Sequence, residues 1–316
     1  MARLIFMGTP EFAVPSLLAL LRAGHEVALV VTQPDAPRGR GQKLQPPPVK
    51  IIAQEHGLAV IQPETLRSPE VVARLRSVAP EVIVVAAFGQ ILRRDVLEIP
   101  QHGCINVHAS LLPRWRGAAP VSAAIAAGDA TTGVTIMLMD EGLDSGPILA
   151  QRETPICPND TAGTLTARLA ELGAALLVET LPHWISGAIV PQPQDPTRVT
   201  LAPRLKKEQG LIDWSRSAVE IERHVRAMSP WPSAFTFWGD KLLKIHRAAL
   251  GSALASAAQP GYVHVQAGQA LVRCGEGWLQ LLEVQPEGKR AMPIADFLRG
   301  HPRFAGAVLN TKPQTP

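Results

Sequence analysis

The sequence predicts an α/β chain, with a Rossmann-like parallel-sheet domain first and a smaller C-terminal β-barrel of OB-like type after it. Three observations carry this expectation. Short apolar runs rich in Val and Ile alternate with helix-type segments through the first half, the pattern of a parallel sheet covered by helices. A stretch at 189–203 with four prolines (Pro191, Pro193, Pro196 and Pro203) reads as a stiff linker. Beyond it, short alternating runs broken by Gly and Pro read as a small barrel or sandwich. The expected organisation is a catalytic domain at 1–188, a linker at 189–203 and a second domain at 204–316. A length of 316 residues suits two domains better than one.

In chain order, Leu4–Met7, Val27–Thr32 and Val82–Ala87 are short, apolar and β-branched, as buried parallel strands are. Between them Pro15–Ala23, Val49–His56 and Pro69–Val78 space their apolar residues as helices do. Cys104–His108 and Val134–Met139 are further strands, separated by an Ala-rich helix at Pro120–Ala127, and Thr161–Gly187 reads as one long closing helix. The stretch Pro34–Pro48 (PDAPRGRGQKLQPPP) is too polar and too rich in Pro and Gly for regular structure. It carries Arg38, Arg40 and Lys43 against the single acid Asp35. Long loops of this kind in compact domains are usually functional or disordered. In the second domain Ser215–Met228 reads as a helix. Strands are expected at Ala234–Trp238, Leu242–Ala249, Tyr262–Gln266, Ala270–Arg273 and Leu279–Val284.

Composition excludes several classes. Apolar residues make up 46% of the chain, enough for packed cores. Cys104, Cys157 and Cys274 are widely spaced and odd in number, which suits neither a disulfide framework nor a zinc site. No run approaches a membrane span, and Pro10, Glu11 and Pro15 interrupt the apolar N-terminus where a signal peptide would need continuity. A cytoplasmic protein, acting as a monomer and without a membrane, is expected. Residues 204–316 hold 15 Lys+Arg against 9 Asp+Glu, a balance of +6, whereas 1–203 hold 16 against 18, a balance of −2. A basic second half suits a polyanion partner, and equally a solvated surface.

There is no phosphate loop, no H-E-x-x-H and no G-x-S-x-G, and Gly8-Thr9-Pro10-Glu11-Phe12 lacks the dinucleotide fingerprint. The informative stretch is Ile105-Asn106-Val107-His108. On a strand Asn106 and His108 project from one face, at the carboxyl end where open α/β sheets bind ligands. A strand end satisfying its own loop is an equal reading. The loop Asp140-Glu141-Gly142-Leu143-Asp144-Ser145-Gly146-Pro147 follows the next strand, and its glycines allow it to turn an acid inward. Asp144 is able to meet His108 as a carboxylate–imidazole pair, although solvated turn residues are the commoner outcome for such a loop.

Taken together, N-V-H-A-S-L-L-P-R-W-R-G-A-A-P and D-E-G-L-D-S-G-P-I-L resemble the folate-dependent formyltransferases, and within them the branch acting on a tRNA-borne amine. The resemblance extends to M-G-T-P-E-F, P-R-G-R-G-Q-K-L, I-D-W and S-P-W-P, and so spans nearly the whole chain. It implies that Asn106, His108 and Asp144 form the catalytic trio. It further implies that Ser110, Leu111, Leu112 and Pro113 lie against a reduced folate, with Phe88, Gly89 and Ile91 and the 140–144 loop lining its pterin pocket. The implied donor is 10-formyltetrahydrofolate and the implied acceptor initiator methionyl-tRNA, with no metal. Arg40, assisted by Arg38 and Lys43, is the expected tRNA contact. Lys206 and Lys207 are expected on phosphates, and Arg223 and Arg226 equally there or on a solvated helix face. The chain departs from the family pattern at Phe88, where Tyr is common, and at Ala109, where Gly is common. The competing readings are a formyltransferase for a small amine, which needs no basic loop, and a noncatalytic RNA-binding protein, which needs no trio.

Overall fold

The computed structural model describes residues 1–38, 43–253 and 258–312. The chain forms two compact units: residues 1–120, 131–155 and 165–203 in the first, 121–130, 156–164 and 204–316 in the second. The chain passes from the first unit to the second after Pro203. The proline-rich 189–203 stretch, expected as a linker, is hydrogen-bonded within the first unit. Gln192 pairs with Ile148 and Leu201 with Arg116, and Ala202 N–H donates to the Arg116 carbonyl at 2.7 Å.

The first unit begins with β1 (Arg3–Gly8), α1 (Val14–Arg22) and β2 (Glu26–Val31). A two-stranded hairpin follows, β3 (Ala36–Arg38) and β4 (Lys43–Gln45), then α2 (Pro48–Glu55) and β5 (Val60–Ile61). Next come α3 (Pro69–Ser77), β6 (Val82–Ala86), α4 (Arg94–Leu97) and β7 (Cys104–His108), then α5 (Pro120–Ala127), which from Val121 on belongs to the second unit. The chain continues through β8 (Thr131–Leu138), β9 (Ile148–Pro155) and the long α6 (Ala162–Ile185). Helices α1, α2 and α3 each carry Pro in the first turn, where the missing N–H has no partner to lose.

The seven-stranded sheet runs β5-β2-β1-β6-β7-β8-β9. Strands β5 to β7 are parallel, as the alternation predicts. Burial on both faces explains the unbroken apolar run of β6, and β7 is buried throughout although it carries Asn106 and His108. The last two strands depart from that prediction. Both β8 against β7 and β9 against β8 are antiparallel. Strand β9 (ILAQRETP) escapes sequence reading because its outer face is wet and polar side chains fill the alternate positions. The Pro34–Pro48 segment, expected to lack regular structure, supplies the stem of the β3–β4 hairpin, with Arg38 opposite Lys43. Such a pair needs only backbone hydrogen bonds, so a polar composition does not forbid it. The stem is anchored by Asp35, which accepts from Lys50 Nζ at 2.8 Å and Gln62 Nε2 at 2.7 Å. These bonds hold the Asp35 carboxyl below its ordinary range, the Gln62 bond foremost.

Helix α6 covers the face of β7 and β8 opposite Asn106 and His108. A Cβ at Gly173 would lie 2.7 Å from Val107 Cγ1 and 3.2 Å from Val134 Cγ1, so only glycine admits this approach. At its far end Trp184 Nε1 donates to the His102 carbonyl at 2.8 Å. The alternation along β7 thus separates the strand into a packed face and a chemical face.

In the second unit α7 (Ala218–Ala227) opens on a capping box, Ser217 with Glu220. Its strands are β10 (Ala234–Trp238), β11 (Lys241–Leu250), β12 (Val263–Gln266), β13 (Gln269–Arg273), β14 (Trp278–Pro286) and β15 (Met292–Pro293). Then come α8 (Ile294–Gly300) and β16 (Leu309–Asn310). The antiparallel order is β12-β13-β14-β11-β10-β16, with β15 on β14. A bridge between Tyr262 and Val308 ties the approaches of β12 and β16, so the sheet curls back on itself as a barrel does. Trp238 meets Phe297 and Phe304 edge-to-face at 5.9 and 5.3 Å inside this curl.

Cys104 and Cys274 are buried, and burial pushes both thiols up to about 12, so neither is a thiolate at neutral pH. Cys157 is exposed. Among the described residues no helix is long and apolar enough to cross a membrane.

Candidate active site

Parallel strands bring their carboxyl ends to one edge of the sheet, where the backbone leaves β1, β2, β6 and β7. Three of these exits, those of β1, β2 and β6, are tied together. The Phe88 carbonyl accepts from Thr9 Oγ1 at 3.0 Å and Gln33 Nε2 at 3.2 Å. Gly89 takes φ 90°, a conformation suited to glycine. The Phe88 ring belongs to the hydrophobic core at 2% exposure, so this turn offers a ligand its backbone rather than that ring. Gln90 is committed to the 63–66 segment through Leu66 N and the Pro63 carbonyl, while Ile91 is 83% exposed.

At the end of β7, Asn106 and His108 are 8% and 6% exposed. Asn106 is the more unusual. Its carboxamide makes no hydrogen bond among the described residues, and neither of its polar atoms is a buried one lacking a partner, so the amide opens to solvent. His108 is fixed at both nitrogens. Nε2 lies 3.1 Å from the Trp115 carbonyl, which only accepts, so that nitrogen carries hydrogen. Nδ1 lies 3.7 Å from Asp144 Oδ2. That distance is too long for a direct hydrogen bond.

Asp144 reaches this position by an indirect route. Because β8 is antiparallel, its exit lies beside Cys104, where Met139 N–H donates to the Cys104 carbonyl at 2.7 Å. The loop therefore starts at the end of β7 remote from His108 and returns to it. Asp140 stiffens the start by accepting from Gly142 N at 3.0 Å and Ser145 Oγ at 2.8 Å. Asp144 itself adopts φ 48°, left-handed for a non-glycine residue. Its Oδ2 accepts from Gly117 N–H at 2.8 Å. One oxygen thus holds the 113–117 turn and faces the imidazole.

The Ser110–Pro113 segment is held from beneath. Ser110 is fully buried and donates to the Arg114 carbonyl at 2.6 Å. Thr135 Oγ1 donates to the Ser110 carbonyl at 2.7 Å and accepts from Leu112 N at 3.1 Å. Gln151 Nε2 donates to the Leu112 carbonyl at 2.9 Å. Leu112 and Pro113 are buried, Leu111 half-buried, and the Leu112–Pro113 peptide is cis. Thr135 and Gln151 were not singled out in the sequence. They stand opposite each other across the β8–β9 pair, a relation visible only once β9 is recognised.

Gly117 has φ 117°, and a Cβ there would sit 2.6 Å from the Ala202 carbonyl oxygen. We expect Gly117→Ala to displace the N–H that holds Asp144. Backbone strain of roughly 1–3 kcal/mol predicts turnover lowered by about tenfold or more. Steady-state kcat alongside a melting curve checks this; unchanged kcat would mean that the turn does not position Asp144.

The expected nucleic-acid contacts fall in both units. Lys43 is exposed on β4, Lys206 and Lys207 are exposed at the start of the second unit, Arg38 lies on β3, and Arg40 falls outside the described residues. Arg226 is already neutralised, bonded to Glu222 through Nε at 2.6 Å and Nη2 at 2.9 Å. The guanidinium of Arg223 packs over Gly128. Among the described residues no three His, Cys, Asp or Glu side chains converge as a metal site.

Comparison with known proteins gives the family. A formyl transferase model matches residues 2–181, and a formyl transferase C-terminal-domain model matches 204–302. A methionyl-tRNA formyltransferase of Myxococcus xanthus is 52% identical over 306 residues, covering 96% of this chain and 97% of the relative. The chain belongs to the methionyl-tRNA formyltransferase family. Another member, from Chloroflexus aggregans, is 53% identical over 300 residues, covering 94% of this chain and 97% of its own.

Membership in the methionyl-tRNA formyltransferases agrees with the fold. A solved sugar 3N-formyl transferase, WlaRD, superposes with a TM-score of 0.66 at 18% identity, covering 92% of this chain and 99% of its own. An N-formyltransferase from Helicobacter canadensis gives 0.64 at 19% identity, covering 90% and 100%.

Proposed function

We propose that this chain transfers the formyl group of 10-formyltetrahydrofolate to the α-amino group of methionine carried on initiator tRNA. The observation that carries the chemistry is the convergence of Asn106, His108 and Asp144, with the Asn106 amide unbonded among the described residues and open to solvent. The acceptor is drawn from the full-length relatives, whose names specify methionyl-tRNA.

The amine lone pair forms the new C–N bond as the formyl π pair moves onto oxygen. That oxygen then needs donors more strongly than it did in the substrate, and such preorganised donors are often the largest catalytic term. Asn106 Nδ2 is one. In the form with hydrogen on both nitrogens, His108 donates from Nε2 to Trp115 and from Nδ1 toward the oxyanion, with Asp144 beside it. Asp144 takes the proton that the attacking nitrogen loses, directly or through water. On collapse the oxygen pair returns, the bond from carbon to folate N10 breaks, and the proton passes to N10. The Ser110–Pro113 segment and the Phe88–Ile91 turn are assigned to the folate, and Lys43, Arg38, Arg40, Lys206 and Lys207 to the acceptor tRNA.

The test supplies labelled formyl-folate with charged initiator tRNA, charged elongator tRNA and amino-sugar nucleotides. Label is expected on the initiator alone, and label on the small amines alone would transfer the assignment to them. Affinity for tRNA should fall steeply with salt, with a log–log slope of about −0.7 to −0.9 per phosphate contact. A flat response would remove the basic residues from the interface.

A further inference from the structure

Gln194 lies in the proline-rich stretch between the two segments matched by the family models, 2–181 and 204–302. Its side-chain amide is nevertheless fully used within the first unit. Nε2 donates to the Asp144 carbonyl at 2.8 Å and to the Gly146 carbonyl at 2.7 Å. Oε1 accepts from Arg116 Nε at 2.9 Å and Nη2 at 2.7 Å. Arg116 is flanked by the two residues that complete the site, since the Trp115 carbonyl meets His108 and Gly117 N–H holds Asp144. One amide therefore clamps the turn that orients the imidazole to the loop that supplies the carboxylate.

We infer that Gln194 is a positioning residue for Asp144, a role that rests on the proposed site. The physical need is specific. Asp144 holds a left-handed backbone that a non-glycine residue keeps only where its surroundings over-determine it. Its loop starts at the remote end of β7 and has few ways to fix the direction of its carbonyls. Fastening the carbonyls of 144 and 146 to one donor sets the 144–145 and 146–147 peptide planes, and with the first of them the direction of the Asp144 backbone and side chain. Gly146 contributes because a Cβ there would overlap the Leu138 carbonyl, so the loop folds tightly enough for both carbonyls to reach a single nitrogen. Gln194 touches no reacting atom; it acts through Asp144.

Two variants separate this role from simple anchoring. Gln194→Met removes both halves of the clamp. Gln194→Glu keeps the acceptor for Arg116 but sets a carboxylate oxygen against the two carbonyls, so only the bonds to the Asp144 loop are lost. Both should lower kcat by about 10²-fold, the usual consequence of displacing a catalytic group by about 1 Å, with KM for folate and tRNA changed by less than about threefold. In a double-mutant cycle with Asp144→Asn, adding Gln194→Glu should cost little more than Asp144→Asn alone, because the two changes remove one function. Formyl-folate binding monitors folding, and Gln194→Glu serves if Gln194→Met does not fold. The inference is overturned if Gln194→Glu turns over like the parent, or if the two substitutions multiply independently. Should Asp144→Asn itself retain full turnover, the site reading fails first and takes this inference with it.

Discussion

Replacing Asn106 with alanine should lower turnover by ~10²–10³, the usual loss of one preorganised oxyanion donor, while leaving formyl-folate binding nearly unchanged. The structural reason is that the Asn106 carboxamide has no hydrogen bond to lose in the resting protein among the described residues. It supports no strand pairing, because β7 is held by its backbone to β6 and β8. Truncation therefore removes a donor from the transition state with little structural cost. The measurement is kcat beside the folate dissociation constant and the melting temperature. A fall in kcat and melting temperature together with a rise in the dissociation constant would mean that Asn106 is a packing residue, and near-parental kcat would remove it from the site.

Asp144→Asn is the second large effect, about 10²–10⁴ in kcat. It keeps the shape of the side chain but not its charge. Its oxygen still accepts from Gly117 N–H, so the 113–117 turn should stay in place. Because that same oxygen faces His108 Nδ1, the amide nitrogen takes the place of Oδ1, while Nε2 keeps its hydrogen on the Trp115 carbonyl. The imidazole then has a neutral amide beside it, and no carboxylate remains to take the amine proton. Single-turnover formyl transfer on charged tRNA reads the effect directly. Activity within tenfold of the parent would show that the pair is structural.

The site was legible in part from the chain for an identifiable reason. The two-residue spacing of Asn106 and His108 on a short apolar run projects both from one face of a strand, and local geometry alone guarantees it. The apolar members of that run, Ile105 and Val107, announce its packed face because they alternate with the two polar residues. The prolines at helix starts are local in the same sense. Strand β9 was hidden because its polar positions face outward at the sheet edge. With it hidden, so were the reversal at β8, the Thr135–Gln151 support of the Ser110–Pro113 segment, and the route by which Asp144 returns to His108.

The proline-rich stretch shows the same division. Composition reads Ile189–Pro203 as a spacer because propensity registers stiffness and polarity but not distant partners. Only the folded chain brings Gln194 within hydrogen-bond reach of Arg116 and of the 144 and 146 carbonyls, separations of 78, 50 and 48 residues. By itself, then, the sequence determined the fold class, the strand bearing the amide and imidazole, and the family. Tertiary structure decided which carboxylate faces that imidazole and what holds it there. The first set follows from spacing along one element, whereas the second depends on loops whose partners are chosen by the whole sheet.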